Sequence, residues 1–183
     1  MGDGAEAMKT RWIPGAVSAT FKKMPLSVDE IIHLLVACGL QAVEWSENTH
    51  VQPDDPSGAA LLRKKTEEAG LAVAAYGSYY RLGENEQPKQ AFARSLRSAV
   101  ALGAPVIRVW AGTRASAEVD EEQFRSLADE AALIAEMACH ERIKVAFEWH
   151  KQTLTDTNLS AQRLIQQTGD QYTVVNPPYP PMT

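Results

Sequence analysis

The stretch Ile143-Lys144-Val145-Ala146-Phe147-Glu148-Trp149-His150 is an apolar strand pattern that ends in a carboxylate, an indole and an imidazole. It follows a long helical pattern and runs into Lys151-Gln152-Thr153-Leu154-Thr155-Asp156-Thr157, a polar loop ahead of another helix. A buried strand whose end opens into a polar loop and then a helix is one βα unit. In parallel α/β folds, ligands bind at the C-terminal ends of strands, where loops gather and helix N-termini point. Glu148 and His150 therefore stand where such a fold carries its chemistry. A plainer reading makes Glu148 a buried acid paired to an arginine and His150 a loop residue, because buried ion pairs occur without chemistry.

The same grammar repeats along the chain. Gly39-Leu40, Gly70-Leu71 and Gly103-Ala104 each close a helical pattern and open a strand, and Arg142-Ile143 takes the same place without the glycine. The strands expected are Ala16–Phe21, Gln41–Trp45, Leu71–Tyr76, Pro105–Trp110, Ile143–His150 and Tyr172–Asn176, with Tyr79, Tyr80 and Arg81 in the loop after the third. The first expected helix starts at the capping box Ser27-Val28-Asp29-Glu30. Others run from about Ser57 to Ala69, between Pro88 and Gly103, from about Asp120 to His140 and from Asn158 to Thr168. Repeated βα units give an open doubly wound sheet or a closed barrel. No Gly-rich phosphate loop follows the first strand, which favours the barrel. The fold expected is α/β, of the (β/α)8 TIM-barrel type, with about six βα units in one domain over residues 1–183 and a loose tail at 1–10.

Bulk properties narrow the function. A chain of 183 residues with 45% hydrophobic content can bury a real core. The net charge of -5 argues against a duplex-binding surface, so no nucleic-acid partner is expected. Cys38 and Cys139 each lie in a helical pattern without a partner at metal spacing, as reduced thiols in a cytoplasmic protein do. No run approaches a signal peptide or a membrane span.

Alternation along the strands says which side chains converge. Ala146, Glu148 and His150 share one face of their strand, Val106 and Arg108 one face of theirs, and Ala42 and Glu44 one face of theirs. If the purely apolar faces pack on helices, Glu44, Arg108, Glu148 and His150 all look into the barrel near its C-terminal rim. A guanidinium beside carboxylates favours their ionised form, which suits metal ligation or proton abstraction. The alternative is an internal salt-bridge network that only fills the barrel.

Several segments carry a family resemblance: Ala42-Val43-Glu44-Trp45 with His50 beyond it, Ala75–Arg81, Leu102–Gly112, and Phe147–His150 with Thr153–Thr157. Together they resemble the sugar phosphate isomerase/epimerase group with the xylose isomerase-like TIM barrel. The resemblance implies a divalent metal (Mn, Mg, Co or Zn) at the mouth, with Glu148 as a ligand and as acid/base on a sugar carbon. The substrate-binding set expected is Arg108, His50, His150, Glu44, Trp110 and Tyr76. Where the family commonly offers an aspartate after strand six, this chain has Asn176, and it stops before strands seven and eight.

The expected activity is a metal-dependent isomerase or epimerase of a small sugar, sugar phosphate or polyol, extending to dehydration of a cyclic polyol. The alternative is a catalytically incomplete barrel fragment or binding remnant, whose exposed outer strands would promote self-association. An abasic-site endonuclease-type hydrolase is disfavoured, since His33, His50, His140 and His150 are few and mostly misplaced for a metal cluster.

Overall fold

The computed structural model describes residues 12–169 and 173–176. Six strands alternate with five helices: β1 (Gly15–Val17), α1 (Val28–Ala37), β2 (Ala42–Ser46), α2 (Pro56–Glu68), β3 (Ala72–Arg81), α3 (Pro88–Leu102), β4 (Val106–Trp110), α4 (Glu121–His140), β5 (Lys144–Glu148), α5 (Asn158–Thr168) and β6 (Thr173–Asn176). The strands form one sheet in the order β1-β2-β3-β4-β5-β6, each neighbour parallel to the next. This is the strand arrangement of a partial (β/α)8 barrel. No described helix is long and apolar enough to cross a membrane.

Local signals account for the helix starts. The Ser27 amide donates to Glu30 Oε2 at 2.7 Å, and the Glu30 amide donates back to Ser27 Oγ at 3.3 Å. Asp120 caps α4 in the same reciprocal way, accepting from the Gln123 amide at 2.9 Å. Each such cap satisfies helix N–H groups that have no partner in the first turn and stabilises by roughly 1 kcal/mol. At the far ends, Gly39, Gly70 and Gly103 take φ values of 71°, 76° and 70°, and Arg142 adopts φ 60° at the matching place. One left-handed residue turns each of α1 to α4 into the next strand.

Three strands depart from the sequence reading. β5 ends at Glu148 and leaves His150 beyond the strand. β1 ends at Val17, and Ser18–Phe21 winds into a 3-10 turn that places the Ser18 hydroxyl under the Ser46 amide, 2.8 Å away. β3 does not stop at Tyr76 but continues to Arg81. It does so through an irregularity: β3 spends residues 77 to 81 where β4 spends 108 to 110.

The core lies between sheet and helices. Val43, Trp45, Tyr76, Ile107, Val109, Val145 and Phe147 are fully buried there, with Leu62, Phe92, Ala99, Ala131 and Ile134 from the helices. Trp45 shows how the layers are joined: its Nε1–H donates to Thr66 Oγ1 on α2 at 3.0 Å. The outward faces of β2, β4 and β5 are thus the apolar ones that alternation assigned to the helices, leaving Glu44, Arg108 and Glu148 on the inner face.

Candidate functional site

Arg108 is the centre of the inner face. From β4 its guanidinium reaches over β3, where Nε donates to Glu44 Oε1 of β2 at 2.9 Å, and on the other side Nη1 pairs with Glu148 Oε2 of β5. Three strands are tied by one side chain. Room for it comes from Gly77, the register partner of Arg108, which leaves bare the space where Glu44 Oε1 and Arg108 Nη2 approach β3. The side chains of Glu44 and Arg108 are 12% and 13% exposed, whereas Glu148 is 29% exposed. Glu148 is therefore the member of the trio that a solute can reach. Charge-assisted bonds of this kind are the strong ones.

Beside the trio, at the strand ends, three planar groups form a stack. The Arg81 guanidinium lies 3.5 Å from the centroid of the Trp110 ring, and on the ring's other contact His150 stacks at 4.7 Å with planes 19° apart. Cation–π and offset stacking both favour this arrangement. Trp110 Nε1 is buried with no partner among the described residues. His150 Nδ1 lies 2.6 Å from the Lys151 carbonyl, which can only accept, so Nδ1 carries a hydrogen.

The loop after β5 is braced by its own threonines. Thr155 Oγ1 donates to the Glu148 carbonyl at 2.6 Å and Thr153 Oγ1 to the His150 carbonyl at 2.7 Å. Between them Leu154 is fully buried and its amide donates to the Ala111 carbonyl at 2.8 Å. The Thr-Leu-Thr run thus fixes the backbone that carries Glu148 and His150.

His50 and Tyr76 sit elsewhere. The Ser18 hydroxyl accepts from the Ser46 amide and lies 3.0 Å from His50 Nδ1, so its own hydrogen can point at that nitrogen. His50 also meets the edge of Trp45, at 5.7 Å between centroids, and burial pushes its imidazole below the ordinary 6.5. The ring is thus wedged between the 3-10 turn after β1 and the end of β2. Tyr76 is a correction: it is fully buried on the helix side of β3, and its hydroxyl donates to Glu47 Oε2 at 2.8 Å. Its neighbour Gly77, not Tyr76, holds the inward position, so Tyr76 does not reach the Arg108 cluster.

Glu47 is the acid that the sequence reading passed over. It is 4% exposed and accepts from Tyr76, from Ser95 Oγ at 2.6 Å and from the Tyr79 amide at 3.2 Å. It follows the last residue of β2, where alternation stops giving direction, and its partners are far away in sequence.

The divalent metal implied by the resemblance does not find a complete donor set in these residues. Among the described residues no three His, Cys, Asp or Glu side chains come together as ligands, and Glu148 Oε2 is occupied by Arg108. Asn176 is the register partner of Glu148.

A family model described as xylose isomerase-like TIM barrel matches residues 32–177. No curated protein sequence matches the chain significantly. Among solved structures, the probable 3-DHS dehydratase AsbF, involved in petrobactin synthesis in Bacillus anthracis, superposes with a TM-score of 0.78 at 16% identity, over 90% of this chain and 62% of that one. An L-ribulose 3-epimerase gives 0.72 at 16% identity, over 88% of this chain and 59% of its own. A xylose isomerase-like TIM barrel protein from Mycobacterium smegmatis, in complex with magnesium, gives 0.68 at 13% identity, over 91% and 64%. The chain thus spans about three fifths of the length of these structures. With the matched segment covering both the Arg108 cluster and the aromatic stack, the chain belongs to the xylose isomerase-like TIM-barrel family.

Proposed function

We propose that this chain carries the proton-transfer side of an isomerase or epimerase acting on a small sugar or polyol. One observation supports this most: Glu148 stands at the open end of β5 with one oxygen held by Arg108 and its other oxygen, Oε1, without a partner among the described residues. In the reaction, Glu148 Oε1 removes a proton from the carbon that bears a hydroxyl next to a carbonyl. The electron pair left behind moves onto the carbonyl oxygen as an enediolate. Protonation from solvent on the opposite face gives an epimer, with Glu148 releasing its proton to water; return of that proton to the neighbouring carbon, while the hydroxyl proton passes to the former carbonyl oxygen, gives an isomer. The Arg108 guanidinium supplies fixed positive charge beside the carbon acid and keeps the carboxylate aimed. His150, at the end of the Arg81–Trp110–His150 stack, offers its outer face as a flat wall to sugar C–H groups.

A second reading has its own support. Arg108 bonds to both carboxylates without any ligand, so the trio can serve as a brace between strands, as a binding barrel without turnover would retain.

The test is solvent exchange. The full chain is incubated in D2O with unphosphorylated and phosphorylated ketoses, with and without Mn²⁺, and deuterium at the carbon beside the carbonyl is followed by NMR. Exchange is expected, and Glu148→Gln lowers it by about 100-fold or more, as loss of a general base does. Sugar binding without exchange in any condition favours the brace; equal exchange by the variant removes Glu148 from the chemistry.

A further inference from the structure

We propose that the cleft between the loop Glu47–Asp55, the end of β3 and the outer turns of α3 is a phosphate subsite walled by Arg81 and Arg94. The cleft has a volume of about 230 Å³, and Asn48, Tyr79 and Asn85 join the two arginines in lining it. That is smaller than the roughly 300–1,000 Å³ of a site for a whole small molecule. It suits one substituent of a ligand whose remainder lies elsewhere.

The donors are placed for an anion. Neither Arg81 nor Arg94 has an ion pair or a side-chain hydrogen bond through its guanidinium among the described residues, whereas Arg63, Arg97, Arg108 and Arg163 all pair with acids. Arg81 presses one face on Trp110, which leaves its N–H edge free to donate in plane. The Asn48 amide and the Tyr79 hydroxyl add neutral donors, and Asn85, whose Nδ2 donates to the Arg81 carbonyl at 3.5 Å, keeps a second N–H. A phosphate, with three terminal oxygens, can take charge-assisted bonds from more than one guanidinium of such a lining.

Two acids also line the cleft, and Asp54, paired with Arg97, lies close enough to Arg94 to feel its charge. Glu47 spends its oxygens on Tyr76, Ser95 and the Tyr79 amide, so its charge is already solvated by protein donors. Glu84 is exposed, where water and salt screen it. With a net charge of -5, the chain as a whole repels anions. Phosphate binding, if measured, is then a property of this donor set and not of a general positive field.

Arg81 belongs to both places: it lines the cleft and stacks on Trp110 beside the Arg108 cluster. A sugar resting against the edge of that stack would carry a terminal phosphate toward Arg81. Assigning the phosphate to the substrate rests on the isomerase reading; the anion cleft itself does not.

Calorimetric titration of the full chain at low ionic strength separates these. The probes are inorganic phosphate, a ketose monophosphate and the same ketose unphosphorylated, against wild type, Arg94→Met, Arg81→Met and Glu148→Gln. Arg94 is exposed on α3, so Arg94→Met is expected to fold, which its melting curve verifies. Inorganic phosphate is expected to bind wild type, to weaken about tenfold or more in Arg94→Met, and to bind Glu148→Gln unchanged. No phosphate binding by wild type, or binding unaltered in both arginine variants, overturns the cleft. A ketose monophosphate binding at least tenfold more tightly than either fragment supports its place on the substrate. Equal affinity for it and for inorganic phosphate overturns that assignment while leaving the anion cleft standing.

Discussion

A β-carbon on Gly77 would stand 2.5 Å from Glu44 Oε1 and 2.8 Å from Arg108 Nη2, so β3 is kept bare where an ion pair crosses it. The approach is too close for any side chain without movement of the pair. Gly77→Ala is expected to cost about 1–3 kcal/mol in urea unfolding through overpacking. A variant as stable as wild type would mean that Glu44 and Arg108 have another low-energy arrangement.

Arg108 is a single cation paired with two acids that cannot reach bulk water equally well. Arg108→Met is expected to destabilise by about 3–5 kcal/mol, because it strands Glu44 in a buried place. Adding Glu44→Gln should recover part of the loss. If the double variant is no more stable than the single one, the cost lies in packing and not in charge. Arg108→Lys is not expected to restore stability, since one ammonium cannot span both carboxylates.

Tyr76 is a structural donor. Burial and the Glu47 carboxylate push its phenol far above the ordinary range, so the hydroxyl stays protonated and donating. Tyr76→Phe leaves Glu47 short of one donor and is expected to cost about 1–2 kcal/mol in chemical denaturation. Ligand affinity at the mouth should not change; a change would give Tyr76 a second role.

His50 makes stability depend on pH. Burial lowers its pKa in the folded chain below the ordinary 6.5, so the unfolded chain binds protons first as pH falls. The neutral ring's contribution is therefore full above the ordinary pKa and is lost as pH drops through the folded value. Unfolding free energy measured from about pH 7.5 down to about pH 5.5 should fall more steeply in wild type than in His50→Gln. Parallel slopes would assign the whole pH dependence to carboxylates.

Arg142 holds φ 60° where three other turns use glycine. Arg142→Gly is expected to stabilise by about 1 kcal/mol, the usual cost of a left-handed residue with a β-carbon. The melting temperature checks it, and a fall would show that the Arg142 side chain contributes more than its backbone costs.

Much of this was legible in the sequence because the signals are local. Ser27, Asp120 and the helix-ending glycines mark boundaries within a residue or two. Strict alternation on β2, β4 and β5 placed Glu44, Arg108 and Glu148 on one face. β3 is where alternation fails: its register shifts between Val43 and Glu44 on one side and again beyond Gly77 on the other. Hence Tyr76 reads as a mouth residue and is not one, and Arg81, beyond the β3 irregularity, joins the Trp110–His150 pair by a path that spacing does not show. Glu47 is hidden for a different reason, since its three donors come from β3 and α3, none of them within helical or strand reach.

The repeated left-handed turn at the bottom of the sheet has a consequence for how such a chain can change. Each turn resets the phase of the strand that follows, so the extra residues that β3 takes up before Arg81 are absorbed within α3 and its loops, and β4 still enters with Arg108 facing inward. Insertions at one end of the molecule are forgotten by the time the chain returns from the other. Variation is thereby confined to the rim, unit by unit, and a new specificity can be tried in one loop without retiming the rest of the barrel.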